Sequence, residues 1–171
     1  MTAMRDPDFL SRAWPDMCAA YRAPELAQAC LALQDAFAVD VPLLLLLCLA
    51  DRAGHGIADN GLTALIASAG SWRETVIVPL RQARRGMKHR FLAKPETTLR
   101  DEIKRLELEA ERLHVERLAA DFPPVATDGQ GAALRYLAHC GVTDEAAADF
   151  VALFAAVPLS TLDQRSPAGT A

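Results

Sequence analysis

"VDVPLLLLLCLADR", residues 39–52, sets ten apolar or proline residues between Asp40 and Asp51. That is about half of a bilayer crossing, which takes roughly 20 apolar residues, so the stretch is not a membrane span. Leu and Ala favour helix over strand, and Val41 is the one β-branched residue of the apolar run. Pro42 suits a first helical turn and Gly54 supplies a stop. The run therefore reads as a helix of about three turns. A helix apolar on every side is one surrounded by neighbours.

The rest of the chain agrees with a helical core. Its 171 residues are 51% hydrophobic, 23% charged and only 6% aromatic, a composition that suits an ordered globular chain rich in Ala and Leu. The expectation is an all-α, single-domain bundle of seven or eight helices around a buried central helix at 41–53, with residues 1–158 as the domain and 159–171 as a disordered tail. A first helix is expected at 8–21, bent or delayed by Pro15, and a second from Pro24 to Phe37 with Leu26, Ala29, Cys30, Leu33 and Phe37 on one face. A short helix should cover 61–69 and stop at Gly70. "SWRE", Ser71 to Glu74, then has capping-box spacing and should start a long helix to about Leu92, kinked at Pro79. Thr97 or Thr98 would cap the next, Asp128 one reaching about Cys140, and Thr143 a last one to about Val157.

Several function classes find no support. "MTAMRDPDFL" carries Asp6 and Asp8 where a secretory leader needs an unbroken apolar region, so a cytoplasmic location without membrane attachment is the expectation. Cys18, Cys30, Cys48 and Cys140 are widely spaced without a C-x-x-C, and read as buried thiols. His55, His89, His114 and His139 lack metal-ligand spacing, and His139 points to a different helix face from Cys140. "GHGIADNG" follows no strand and matches no phosphate loop. No catalytic residue, metal or cofactor is expected.

Two features stand out. Arg81, Arg84, Arg85 and Lys88 recur at i, i+3, i+4, i+7 and share one helical face, beside an apolar stripe of Val76, Leu80, Ala83, Met87 and Phe91. Residues 71–94 carry a net charge of +6 in a chain whose total is −4. Such a face attracts anions, since guanidinium groups pair bidentately with anionic oxygens. Equally, a following helix with Glu102, Glu107, Glu109, Glu111 and Glu116 could fold back and neutralise it. Without exposed aromatics for base stacking, and in an acidic molecule, nucleic acid is the disfavoured partner. The second feature is the 4-3-4-3 spacing of Leu99, Ile103, Leu106, Ala110 and Leu113, the seam of a short coiled coil. It would serve a homodimer, a partner helix or packing within the chain.

"CLALQ" at 30–34, "DVPLLLLL" at 40–47, Trp72, "VPLRQARRGMK" at 78–88 and "LELEAER" at 106–112 together resemble a family of conserved hypothetical proteobacterial proteins, carried as a domain of unknown function. The resemblance covers roughly residues 9–118. It implies a shared segmentation and transfers no site. The resembled pattern has Asn where this chain has Pro42, so a binding role of that side chain would be missing here.

These readings converge on an interaction or regulatory module that binds a partner, an acidic protein or a second copy, through the helical region 71–119. The alternative is a small enzyme or anionic-ligand binder with a pocket near Trp72, Arg81 and Arg84.

Overall fold

The computed structural model describes residues 8–159. A 3-10 turn at Phe9–Arg12 leads into α1 (Ala13–Ala20), which starts late because Pro15 is tolerated only in a first helical turn. There follow α2 (Pro24–Phe37), α3 (Val41–Arg52), α4 (Asp59–Trp72), α5 (Val78–Met87), α6 (Lys94–Ala120), α7 (Ala132–His139) and α8 (Asp144–Ala155). The described chain is all-α, as expected. Of the expected tail, residues 160–171 lie outside the described residues, as does Asp6 of the leader reading; Leu159 is fully buried.

The leucine run is α3, and every residue from Val41 to Ala50 is buried. It packs against α1, α6, α7 and α8. Both flanking aspartates fix its position. The Asp40 carboxylate accepts from the Leu43 N–H at 3.3 Å, capping α3, while its Oδ2 lies 2.8 Å from His114 Nε2 on α6. The Tyr136 hydroxyl on α7 accepts from the Asp40 N–H at 2.9 Å. Since an unpaired buried polar group costs about 1–3 kcal/mol, this closed set specifies how α3, α6 and α7 meet. At the other end, Arg52 donates to the Val157 carbonyl beyond α8, at 2.9 Å.

Asp51 explains a correction. The cap of α7 is not Asp128: the helix begins after Gly131, whose φ of 70° is left-handed, and the Asp51 carboxylate accepts from the N–H groups of both Ala132 and Ala133 at 2.9 Å. A cap needs an acceptor within reach of the first turn, and here it comes from a helix 80 positions earlier in the chain, roughly. Burial pushes the Asp51 carboxyl up, with the two backbone bonds opposing.

Other expected boundaries move too, and the helix expected to reach about Leu92 ends at Met87. Gly70 and Ser71 do not break the chain into two helices; α4 runs through them, and a π turn at Arg73–Ile77 carries it directly into α5. In that turn the Val78 N–H reaches the Arg73 carbonyl, five residues back. Pro79 has no N–H and crowds the carbonyl four residues before it, and a wider turn relieves both defects. A capping box at Ser71 needs exposed first-turn N–H groups, which a helix interior lacks. Likewise α6 starts at Lys94, not after Thr97 or Thr98. Pro95 occupies its first turn, the Glu96 carboxylate accepts from the Ala93 N–H at 2.8 Å, and both threonine hydroxyls donate back to the Lys94 carbonyl.

The glycine-rich loop is held, not loose. Ile57 N–H bonds the Gly129 carbonyl and Ala126 N–H the Gly56 carbonyl, each at 2.8 Å. A Cβ on Gly56 would lie 2.4 Å from the Ala126 carbonyl oxygen, and one on Gly129 only 2.2 Å from that of Ile57, so both positions require glycine.

Candidate functional site

Helices α5 and α6 pack as a hairpin. Their charged contact centres on Glu107, which is 7% exposed. Its Oε1 accepts from Arg81 Nε at 3.1 Å and Arg84 Nη2 at 3.2 Å, and its Oε2 from Arg84 Nε at 2.5 Å. Arg81 also donates through Nη2 to Glu111 Oε1 at 3.0 Å. Although burial pushes the Glu107 carboxyl up, the bonds from Arg84 and Arg81 prevail and hold it below its usual range. For Glu111 burial prevails over Arg81, and its carboxyl is pushed up. These contacts use two of the five N–H donors that each guanidinium offers.

The other two cations of the stripe behave differently. Arg85 reaches Asp35 on α2 at 3.1 Å, with both side chains about half exposed. Lys88 is exposed. The stripe is thus divided, two arginines turned inward onto one glutamate and two cations on the outside.

Arg81 and Arg84 open onto a cleft of about 670 Å³. Its apolar wall comes from Trp14, Met17 and Tyr21 of the α1 segment, Leu31 of α2, Pro42 and Leu45 of α3, and Leu108 of α6. Arg22, Arg85, Lys104 and Arg105 add positive charge to its lining, with Asp101 among them. Apolar walls with a few convergent polar groups are the usual form of a ligand site, and such sites run to about 300–1,000 Å³. Pro42, where the chain departs from the resembled pattern, lies in this wall.

The expectation set Trp72 beside Arg81 and Arg84 in one pocket; both arginines line the cleft and Trp72 does not. That residue is a packing anchor: its Nε1 donates to the Ala110 carbonyl at 3.0 Å, and the Arg117 guanidinium lies 5.1 Å from its ring centre. Trp14 takes the aromatic place in the cleft. No local signal marks Trp14, Tyr21 or Leu31 for this role, because the cleft forms only when α1 and α2 are folded against the hairpin.

The leucine seam is split as well. Ala110 is buried and Ile103 half-buried, while Leu99, Leu106 and Leu113 are 55%, 46% and 36% exposed. The buried face of α6 is instead Glu107, Ala110, His114, Val115 and Leu118. Among the thiols, Cys30 and Cys48 are buried, Cys18 and Cys140 half-buried, and all four are free. Burial pushes Cys30 up to about 12 and Cys48 well above its ordinary value, so neither is a nucleophile near neutral pH. Among the described residues no His, Cys, Asp and Glu cluster could hold a metal ion, and no helix is long and apolar enough to cross a membrane.

Fold and site together define an all-α protein with an amphipathic cleft between a helical hairpin and the helices it leans on. By comparison with known families, the chain belongs to the family described as "Protein of unknown function (DUF2390)", whose pattern matches residues 12–118. The match runs from α1 nearly to the end of α6 and so contains the whole cleft. No curated protein and no solved structure matches the chain.

Proposed function

We propose that the protein is a binding module whose cleft receives a molecule with an anionic group and an apolar body. The observation that carries this reading is the pair Arg81 and Arg84, only 12% and 27% exposed as side chains, oriented by Glu107 at the end of an apolar wall. Immobilised guanidinium groups with spare donors in a partly desolvated setting hold an anion more strongly than mobile surface cations do. This refines partner binding through 71–119, since α5 and α6 form the charged wall. It also favours a compact anion over nucleic acid, because two stripe arginines face inward.

The test is a titration with anilinonaphthalene sulfonate, an anion with an apolar aromatic body. Leu31 and Leu108 line the cleft and are 44% and 56% exposed, so Leu31→Glu and Leu108→Glu should leave the fold intact. The wild type should bind saturably and each variant at least roughly tenfold more weakly, with unchanged circular dichroism. Absence of saturable binding, or binding by both variants as tight as that of the wild type, would overturn the proposal.

A second reading is favoured by one observation: Leu99, Leu106 and Leu113, spaced by sevens, present partly exposed side chains along α6. Pairing with a second copy would cover them.

A further inference from the structure

Beyond the cleft, the α5–α6 hairpin has a tip that the packing of the chain does not use. From Val78 to Leu106 no residue is buried, so this part of the hairpin is an arm without core residues. At its end α5 passes into α6 through Lys88, His89, Arg90, Phe91, Leu92 and Ala93, all exposed. Phe91 and Leu92 stand side by side at 48% and 71% exposure. Between Glu74 and Glu96 the chain holds no acidic residue, and Lys88, Arg90 and Lys94 join no ion pair among the described residues. We infer that this tip docks on an anionic lipid surface, with Phe91 and Leu92 entering the interface and Lys88, Arg90 and Lys94 meeting the head-group phosphates.

An apolar pair flanked by cations matches a surface that is apolar beneath a negative layer, because burial of the pair and attraction of the cations then act at one depth. A nucleic-acid strand would need a succession of rings for its bases, and Phe91 is the only Phe, Tyr or Trp between Trp72 and Phe122. The net acidity of the molecule does not oppose the contact. From Glu107 back to Lys94, at about 1.5 Å a residue, α6 extends roughly 20 Å, whereas surface charges are screened over about 10 Å at 0.1 M salt. The carboxylates nearer the tip are answered locally, Glu96 by the Ala93 N–H, Asp101 by Arg100 and Glu102 by Arg105. The expectation of no membrane attachment rested on the lack of a leader and of a spanning segment, neither of which a surface contact needs.

The experiment is co-sedimentation at about 0.1 M salt with vesicles of phosphatidylcholine, alone or with about one third phosphatidylglycerol. The wild-type chain should bind the anionic vesicles at least roughly tenfold more strongly than the neutral ones. Phe91→Ser with Leu92→Ser, and separately Lys88→Gln with Arg90→Gln, should each weaken that binding roughly tenfold at unchanged circular dichroism, since all four side chains are exposed. Leu31→Glu, which alters only the cleft, should bind vesicles as the wild type does, so this inference and the cleft reading fail separately. Equal binding to the two kinds of vesicle, or an unchanged affinity of the Phe91–Leu92 double variant, would overturn the inference. So would a tenfold loss in Leu31→Glu, which would move the contact to the cleft. Binding to neither kind of vesicle also ends it, and capture of mixed-sequence single-stranded RNA or of polyglutamate in that case would give the tip to a different partner.

Discussion

Glu107 is one carboxylate serving two guanidinium groups, and its replacement separates attraction from shape. Glu107→Gln keeps an acceptor but leaves Arg84 without its anion and Arg81 with Glu111 alone. The expected loss is about 2–3 kcal/mol, at the low end for a buried pair because Arg84 is partly exposed. Since the folded carboxyl sits below its usual range, its contribution is present above the ordinary carboxylate range and fades as pH falls through the folded value. Melting temperatures of wild type and variant should accordingly differ near neutral pH and converge as acid takes the pH below the ordinary carboxylate range. A gap that persists in acid would show that shape matters and not charge. Five glutamates of α6 were candidates for pairing with the basic face, and sequence alone does not choose among them. Angular position does: Glu107 shares the buried face with Ala110, His114 and Leu118, whereas Glu102, Glu109 and Glu116 pair with Arg105 and Arg112 on the helix's own surface.

Helices marked by a proline in the first turn or a polar cap were legible from local chemistry. Pro24, Pro42 with Asp40, and Thr143 each start a helix where expected. Two of the boundaries that moved share one cause, which is that the deciding group lies elsewhere: Pro79 acts on the turn before it, and Asp51 caps a helix far down the chain, whereas the start of α6 is set locally by Pro95 and Glu96. In α6 the leucine spacing was legible but its burial was not, because α5 takes up only one side. If a second copy covers Leu99 and Leu106, wild type should associate with rising concentration in sedimentation. Leu99→Lys with Leu106→Lys should then be a monomer, less stable by no more than about 1 kcal/mol, because both side chains are already half exposed. A wild type that stays monomeric at high concentration ends that reading. A loss of several kcal/mol would instead place both leucines in the packing of the chain itself.

Across the whole molecule, the cleft and the core draw on different parts of the chain. The family match ends at residue 118, whereas α7 and α8 lie beyond it and cover α3. Leu137, Phe150 and Phe154 are buried there, and Asp40 and Asp51 both bond to α7. A chain ending at Ala120 should therefore expose one side of the leucine helix, leave the Asp51 carboxylate and the Asp40 N–H without their α7 partners, and aggregate, although every cleft residue is retained. Size-exclusion chromatography and circular dichroism decide it; a folded, soluble shortened chain would show that the matched region is a domain by itself. The architecture was readable at this scale because a helix apolar all round admits few surroundings. The cleft was not, since it depends on how five helices lean together.

The wide turn at Arg73–Ile77 contains one residue more than a regular helix would spend there, so numbering on its two sides is out of step by one. Faces counted from α4 do not carry over into α5; Arg81 stands where a regular helix would have set Leu80. Chain length is consequently negotiable at this point and hardly anywhere else along residues 59–87. Deleting Thr75 while replacing Pro79 by alanine would restore an unbroken 3.6-residue rhythm and leave Arg81 and Arg84 facing Glu107. The same deletion one turn later would swing both arginines about 100° off their carboxylate. An insertion or deletion among related chains is to be sought first in this turn.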